Sequence, residues 1–474
     1  MIAMSLTEVA AIVNGRLVNA DPEVLATGKV EFDSRKVVAG DLFLAVPGKH
    51  VDGHDYAEAA IAAGAVAVLA TRPVPVPAIL VPDPIQALTE LATVSARRLT
   101  ATVLALTGSS GKTSTKDLVA QLLAGAGSTV APPGSFNNEL GHPYTVLLAD
   151  ADTRFLVLEA SARGVGHIRH LVHIAPPSIA AVLNVGTAHL AEFGTVASIA
   201  QAKGELIEEL PAAADGGVAL LNADDPVVLA MADRTRARVL TFGESSRADI
   251  RAERVEIDRD GRASFELVTA DGRAPVRLTQ RGEHQVSNAL AAAGLALVCG
   301  LNLSAVAAGL SAATAKSHWR MEVTETAAGV TIVNDAYNAN PESMRAALKT
   351  LAIMSEGRRS IAVLGHMAEL GPDSISEHDG LGRLIVRLDV EHVIAVGPEA
   401  RPIANGAALE GSWNGESEWV SDVEAASARL LQLVRPGDVV LIKGSRSAGM
   451  ERVASAVLRA LESDRPSDAG EQAS

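Results

Sequence analysis

The segment TGSSGKT at residues 107–113 constrains the chain most, because it stands between an apolar run and a helix-forming run. TVLALTG has the pattern of a buried strand, and the apolar residues of KDLVAQLLAGAG recur on one helical stripe. In a strand–turn–helix unit of this kind, glycines let backbone N–H groups approach phosphate oxygens, and the helix N-terminus favours negative charge. The lysine then reaches the β- and γ-phosphates, and the following hydroxyl binds Mg²⁺. The segment predicts a phosphate loop formed by Gly108, Ser109, Ser110, Gly111, Lys112 and Thr113.

This loop is shorter than the usual one. The standard spacing places a glycine five residues before Gly111, where Leu106 stands here, and the first glycine is Gly108. A GKT triplet also occurs by chance, so the flanking strand and helix carry the prediction.

Strands and helices alternate along most of the chain. RFLVLEA and IAAVLNV are further buried-strand runs, and VTIVNDAYN, SIAVLGHM, HVIAVGP and DVVLIKGS repeat the pattern beyond residue 315. Such alternation predicts parallel sheets with helices on both faces. We therefore expect an α/β protein of three domains. They are a small mixed α/β first domain (1–100), a central domain with a mostly parallel sheet (101–315) and a Rossmann-like third domain (316–462). A polar, disordered tail (463–474) follows them.

Length and composition exclude several classes. The 474 residues exceed what one hydrophobic core serves. A formal net charge of −15 disfavours nucleic-acid binding, and the single cysteine excludes a disulfide framework. We find no signal peptide and no apolar run of the roughly 18 residues that a membrane span needs. The sequence predicts a cytoplasmic protein that does not insert into membranes, and nothing in it indicates obligate assembly beyond a monomer.

Polar residues at strand ends are candidates for the chemistry. Glu159 ends the run RFLVLEA, and His189 follows IAAVLNV in NVGTAH. The carboxyl ends of parallel strands line the ligand crevice, where a carboxylate binds Mg²⁺ directly or through water. Lys203 lies in QAKGEL. Taken alone, His189 also fits a surface or core histidine, and Lys203 fits a solvated helix lysine.

The ensemble of motifs resembles the Mur ligases, the ATP-dependent amide-forming enzymes of peptidoglycan precursor synthesis. The resemblance spans residues 30–455, and its motifs occur in the family's order. They are DSRKVVAGDLFLAVPGKHVDGHDY, TGSSGKTSTKD, SFNNELGHP, EASARGVGHI, NVGTAHLAEFG, QAKGEL, GEHQVSNALAA, NDAYNANPESM, GHMAELG and KGSRSAGME.

Within the family, NDAYNANP and SFNNELG are most similar to the member that joins D-alanyl-D-alanine to UDP-N-acetylmuramoyl-tripeptide. The resemblance implies that ATP phosphorylates the tripeptide carboxylate and that the amine of the dipeptide attacks the acyl phosphate. It does not say whether the third peptide residue is a diamino acid or lysine.

The resemblance also implies roles for individual residues. Lys112, Glu159, His189 and Lys203 would be catalytic; Thr113 and Glu159 would hold one Mg²⁺, and His189 and a carbamylated Lys203 would help to hold a second. ATP would contact the phosphate loop together with Asn288, Arg320, Asp335, Tyr337 and Asn338. The first domain would bind the UDP-sugar. The substrate contacts would be Ser34, Arg35, Asn137, Asn138, Ser161, Arg163, Lys443 and Arg446.

Other functions fit parts of the pattern. A phosphotransferase would use the same loop, but would not need the DSRKV and DAYNANP segments. Folylpolyglutamate synthase shares the central fold and should lack the DSRKVVAGDLF segment. A Mur ligase that adds the third residue and a non-catalytic nucleotide-binding regulator are the remaining alternatives, and the intact Lys112, Glu159, His189 and Lys203 disfavour the regulator.

Overall fold

The structure, a computed structural model, describes residues 1–48, 51–186, 190–410 and 413–463. His189 and, apart from Ser463, the predicted disordered tail lie outside the described residues. In the described part of the chain, no helix has both the length and the apolar character that crossing a membrane requires. The predicted α/β fold with three successive sheet domains is confirmed.

The first domain is built on a five-stranded sheet of order β2-β7-β6-β5-β4, in which only β2 runs antiparallel to its neighbour. A separate antiparallel pair joins β1 to β3. The strands are β1 (Met4–Ser5), β2 (Arg16–Val18), β3 (Leu25–Ala26), β4 (Val30–Glu31), β5 (Leu42–Leu44), β6 (Ala67–Ala70) and β7 (Ala78–Leu80). The helices are α1 (Leu6–Ile12), α2 (Ala57–Ala62) and α3 (Pro84–Arg98).

The central domain holds a nine-stranded sheet of order β16-β15-β14-β13-β12-β11-β8-β10-β9. Its strands are β8 (Thr102–Thr107), β9 (Thr129–Val130), β10 (Phe155–Glu159), β11 (Ile179–Val182), β12 (Val218–Asn222), β13 (Arg238–Gly243), β14 (Ile250–Ile257), β15 (Arg262–Thr269) and β16 (Gly272–Arg281). All neighbours are parallel except β14–β15 and β15–β16.

Helices cover both faces of this sheet. They are α4 (Lys112–Ala124), α5 (Gly141–Val146), α6 (His167–Ile174), α7 (Leu190–Phe193), α8 (Val196–Glu208), α9 (Pro226–Leu229), α10 (Gln285–Val298) and α11 (Leu303–Ala312). Because β8, β10 and β11 are buried on both faces, they read as continuous apolar runs in the sequence.

The third domain has a six-stranded sheet of order β17-β18-β22-β19-β20-β21, parallel except for β17. Its strands are β17 (Glu322–Glu325), β18 (Thr331–Asp335), β19 (Ser360–Leu364), β20 (His392–Val396), β21 (Glu416–Val420) and β22 (Val439–Lys443). Its helices are α12 (Pro341–Met354), α13 (Ser374–Arg387), α14 (Arg401–Ala408), α15 (Val423–Leu433) and α16 (Glu451–Ser463).

The apolar cores do not follow the three sheets one to one. The largest core joins buried residues of the first domain, such as Leu88 and Leu91 of α3, to residues of the central domain, such as Leu147 and Leu171. Helix α3 packs against α1 and also against α5 and α6. The third domain has two cores made of its own residues alone, one containing Leu348. The first and central domains therefore share a core, whereas the third does not join it.

Candidate active site

The phosphate loop has the strand–turn–helix context that the sequence predicts. Strand β8 ends at Thr107 and α4 begins at Lys112. Gly111 has a φ of +79°, and a Cβ added there would lie 2.3 Å from Oδ1 of Asn288. Only glycine satisfies both the left-handed backbone and this close approach. The loop is thereby packed directly against the start of α10.

Lys112 points back into its own loop. Its Nζ donates a hydrogen bond of 2.6 Å to the carbonyl of Gly108. Burial lowers the pKa of Lys112, the nearby Glu159 partly opposes this, and Arg320 lowers the pKa further. The ammonium is therefore held in a buried setting where an added anion would stabilise its charge.

Oxygen atoms from three segments meet beside this lysine. Thr113 Oγ1 donates to Oε2 of Glu159 at 3.1 Å, and it lies 2.8 Å from Oγ of Ser135. Asn137 Nδ2 donates to the other carboxylate oxygen of Glu159 at 2.6 Å. Hard oxygen donors of this kind suit Mg²⁺. Ser135 was missed by sequence reasoning, although it opens the motif SFNNELG.

Arg320 reaches this cluster from the segment that precedes β17. Its Nη2 donates to Thr113 Oγ1 at 3.0 Å and to Ser135 Oγ at 2.9 Å. Its guanidinium lies 4.2 Å from the centre of the Tyr337 ring. The predicted arginine of the third domain is thus in direct contact with the phosphate-loop side of the cleft.

Asp335 and Lys443 end neighbouring parallel strands, β18 and β22, and pair with each other. Lys443 Nζ donates to Oδ2 of Asp335 at 2.5 Å and to the carbonyl of Asn338 at 3.0 Å. Met321 N–H donates to the other carboxylate oxygen of Asp335 at 3.0 Å. The sequence assigned these side chains to two different ligands, whereas the structure joins them in one ion pair.

Asn288 and Arg446 also have protein partners. Asn288 Nδ2 donates to Oε1 of Gln285 at 2.9 Å. Arg446 forms a 2.7 Å ion pair with Glu451 and lies 4.6 Å from the Trp319 ring centre.

Lys203 lies on α8 with only 5% of its surface exposed. Its pKa is lowered well below the ordinary lysine value, first by burial and then by the charge of Lys112. Within the described residues, no carboxylate pairs with it. The same part of the chain contains no group of three or more His, Cys, Asp and Glu side chains that could hold a metal ion. The predicted partner His189 is outside it.

One cleft of about 800 Å³ gathers most of the predicted residues. Gly108 and Lys203 are not on its wall. The predicted residues that line it are Ser109, Ser110, Gly111, Lys112, Thr113, Asn137, Asn138, Glu159, Ser161, Arg163, Asn288, Arg320, Asp335, Tyr337, Asn338, Lys443 and Arg446.

Ser34 and Arg35 lie apart from this cleft, in a 3₁₀ turn of the first domain. The Arg35 side chain is 87% exposed and pairs with Asp33 at 2.8 Å, which lowers the pKa of that carboxyl to about 2. The neighbouring Phe32 has its ring centre 6.1 Å from that of Phe136, in the loop between Ser135 and Asn137. The first domain therefore contacts the loop that supports Glu159.

The fold and the cleft define a three-domain phosphate-loop enzyme. Three family models match in succession: the Mur ligase family catalytic domain over residues 28–97, the Mur ligase middle domain over 106–296, and the Mur ligase glutamate ligase domain over 319–446. With relatives that are 49% identical over nearly its whole length, the chain belongs to the Mur ligase family.

Among its relatives is the UDP-N-acetylmuramoyl-tripeptide--D-alanyl-D-alanine ligase of Mycobacterium tuberculosis, 49% identical over 97% of this chain and 98% of the relative. The Escherichia coli ligase of the same name is 36% identical over 96% and 99%. The crystal structure of MurF from Acinetobacter baumannii has a TM-score of 0.84 at 30% identity, covering 96% of this chain and 99% of that one. MurF from Thermotoga maritima in complex with ADP has a TM-score of 0.77 at 31% identity, covering 93% and 99%.

Proposed function

We propose that this chain is an ATP-dependent ligase that joins D-alanyl-D-alanine to the terminal carboxylate of UDP-N-acetylmuramoyl-tripeptide. The observation that carries the proposal is the contact of Arg320 with Thr113 and Ser135, which places a positive charge of the third domain beside the phosphate loop. The full-length likeness to relatives that bear this activity in their names supports the choice of substrates.

The reaction has two steps. A tripeptide carboxylate oxygen attacks the γ-phosphorus, the bond to ADP breaks, and an acyl phosphate forms. The amine of D-alanyl-D-alanine then attacks the acyl carbon, the bond to phosphate breaks, and the amine proton leaves with solvent. Phosphorylation is required because oxide is a poor leaving group and phosphate a good one.

The chain's own residues bring two anions together. Lys112 and Arg320 provide positive charge beside the loop, and preorganised charge of this kind lowers the barrier without reorganisation during the reaction. Asn288, Asp335, Tyr337 and Asn338 are proposed on the ATP side of the cleft, beside the loop residues Gly108 to Thr113. Asn137, Asn138, Ser161, Arg163, Lys443 and Arg446 are proposed on the peptide side.

A magnesium ion is proposed at Thr113 and Glu159. Their oxygen atoms lie 3.1 Å apart beside Lys112, and oxygen donors fit this cation. When bound, the ion would neutralise charge on the transferred phosphate. His189 and a carbamylated Lys203 are proposed as ligands of a second ion.

A carbamate is proposed on Lys203. CO₂ adds only to a neutral amine, and burial together with Lys112 favours the neutral form. Addition releases one proton and leaves a carboxylate, which would offset the charge of Lys112. Replacing Lys203 with alanine should abolish activity, with partial rescue by short carboxylates, and should remove the carbamate signal from ¹³C NMR spectra recorded in ¹³C-bicarbonate. Full activity without rescue would contradict the role.

The remaining assignments follow from this reaction. Residues 1–100, with Ser34 and Arg35, are proposed as the UDP-sugar-binding domain, 101–315 as the ATP-binding domain and 316–462 as the ligase domain. The protein is proposed to act in the cytoplasm as a monomer that binds no nucleic acid.

Phosphate release tests the function. With Mg-ATP, UDP-N-acetylmuramoyl-tripeptide and D-alanyl-D-alanine, release should require both acceptor substrates, and mass spectrometry should find the pentapeptide product. Lys112→Ala should lower turnover about a thousandfold, since it removes the cation of the phosphate loop. Activity only with UDP-N-acetylmuramoyl-dipeptide and a diamino acid would identify the ligase that adds the third residue instead. A stable phosphorylated product without phosphate release would identify a phosphotransferase.

A further inference from the structure

Three consecutive residues of α8 face three different parts of the central domain. Lys203 is buried near Lys112, as described above. At Gly204, an added Cβ would lie 2.1 Å from the guanidinium of Arg234, so a larger residue would displace that side chain. Glu205 is 1% exposed and points toward the start of α6. Buried carboxylates are uncommon and need strong hydrogen bonds.

Glu205 receives those hydrogen bonds from the backbone at the start of α6. Gly166 N–H donates to Oε1 at 2.5 Å, and Arg169 N–H donates to Oε2 at 3.0 Å. These are the N-cap and third helical positions, whose N–H groups have no partner within a helix. Gly166 has no side chain to cap its own helix, so a carboxylate from α8 satisfies them.

The capped end of α6 closes a loop that lines the cleft. The loop begins at Ser161, whose N–H donates to the carbonyl of Asn137 at 3.1 Å. It carries the exposed Arg163 and ends at Gly166, which has a φ of +92°. The loop is therefore anchored at its start by the segment that contacts Glu159 and at its end by Glu205.

We propose that Glu205 is a positioning residue for the UDP-peptide substrate, acting through the backbone of residues 161–166. This rests on the proposed function, in which Ser161 and Arg163 contact that substrate. The carboxylate does not touch the cleft itself. Glu205 lies two residues after Lys203. Helix α8 therefore fixes both the position of the lysine beside the phosphate loop and the geometry of residues 161–166.

The test compares Glu205→Gln with Glu209→Gln. A glutamine keeps the size but replaces one accepting oxygen with a donor, which faces an N–H group. Glu209, the residue directly after α8, is a matched control because it pairs with the side chains of Arg169 and His173 and not with the loop backbone. We expect Glu205→Gln to raise KM for UDP-N-acetylmuramoyl-tripeptide about tenfold or more, with KM for ATP within twofold. The control should leave both values within twofold.

Hydrogen exchange supplies a readout independent of turnover. The amides of Gly166 and Arg169 should exchange faster in Glu205→Gln than in the wild type, and those of Glu209→Gln should not. Unchanged exchange and an unchanged KM for the UDP-peptide would overturn the proposal, as would an equal rise in every KM. If the wild type does not join the two substrates, the proposed function fails. Amide hydrogen exchange would still report whether Glu205 holds the loop.

Gly166→Ala provides a second variant in case Glu205→Gln does not fold. A Cβ at Gly166 meets nothing within 4 Å, but alanine is strained at its positive φ. It should therefore disturb the end of the loop without removing the buried carboxylate. The same selective rise in KM for the UDP-peptide is expected, and a normal KM would overturn the proposed link between this loop and substrate affinity.

Discussion

The boundary between the first and central domains is an apolar core, whereas the third domain keeps its own cores and meets the central domain through polar contacts. These contacts include hydrogen bonds. Arg320 donates to Thr113, Asn340 Nδ2 donates to the carbonyl of Ser109 at 3.5 Å, and Ala191 N–H donates to the carbonyl of Glu369 at 3.2 Å. Water can replace hydrogen bonds at a modest net cost, but opening a core exposes apolar surface. The comparison predicts that domain opening, where it occurs, takes place at the second boundary.

The largest expected effect is on the shared core. Leu88→Ala should lower the free energy of unfolding by about 2–5 kcal/mol, because it leaves a cavity between α3 and the central domain. Leu348→Ala, equally buried in a core of the third domain, is the matched control. All three tryptophans, Trp319, Trp413 and Trp419, fall in the third domain, so their fluorescence reports that domain while far-UV circular dichroism reports the whole chain.

We expect Leu88→Ala to shift the dichroism transition more than the fluorescence transition, and Leu348→Ala to do the reverse. Coincident shifts in both variants would show that all three domains unfold as one unit and would break the comparison.

Arg320→Ala tests the second boundary through activity. The variant should lower kcat/KM about a hundredfold, equivalent to about 2.7 kcal/mol, because it removes the third-domain cation that contacts Thr113 and Ser135. Steady-state kinetics and thermal unfolding measure the two quantities separately. Arg345→Ala, which removes a partly exposed ion pair with Glu377, is the control and should retain activity. A wild-type rate in Arg320→Ala would contradict its role.

Acid should weaken the third domain. His378 is buried there, its Nε2 accepts from Met367 N–H at 2.8 Å, and its Nδ1 donates to the carbonyl of Ser374 at 2.6 Å. Burial lowers the pKa of His378 below that of an unfolded histidine, and the Ser374 carbonyl only partly opposes this. Below pH about 6.5 the unfolded chain therefore binds more protons, so stability present at neutral pH is lost as the pH falls.

Denaturant titrations followed by tryptophan fluorescence at pH 7.5 and pH 5.5 measure this effect. His378→Asn should be less stable at both values but should show a smaller difference between them. An unchanged difference would assign the acid sensitivity to other groups.

The smallest effect is expected at an exposed contact between the central and third domains. Arg259 in the β14–β15 turn lies 3.6 Å from Glu356 after α12, and both side chains are largely exposed. Arg259→Ala should change the free energy of unfolding by less than about 1 kcal/mol, since exposed ion pairs contribute little. Chemical denaturation measures it, and a loss of several kcal/mol would show that this boundary is more rigid than its polar contacts indicate.

Sequence reasoning succeeded where chemistry follows from local pattern. A strand, a glycine turn and a helix predict the phosphate loop, and Glu159 at the end of a buried strand lies beside Thr113 because neighbouring parallel strands end at the same edge. The α/β class follows equally from alternating apolar runs.

Contacts set by tertiary packing were not predictable in this way. Asp335 and Lys443 pair because β18 and β22 are adjacent in register, although 108 residues separate them. Ser135 and Glu205 have no local pattern that distinguishes them from ordinary loop and helix residues. Helix α3 reads as the end of the first domain, but nothing in its amphipathic pattern says that two helices of the next domain cover it.

The core beneath α3 also determines how the protein can be divided into fragments. A piece starting at residue 101 would lack Leu88 and Leu91, and the surfaces of α5 and α6 that they cover would face solvent. A cut near residue 315 divides no such core, because the third domain has two apolar cores made of its own residues. Separating residues 316–463 from the rest of the chain should therefore yield two fragments that each fold.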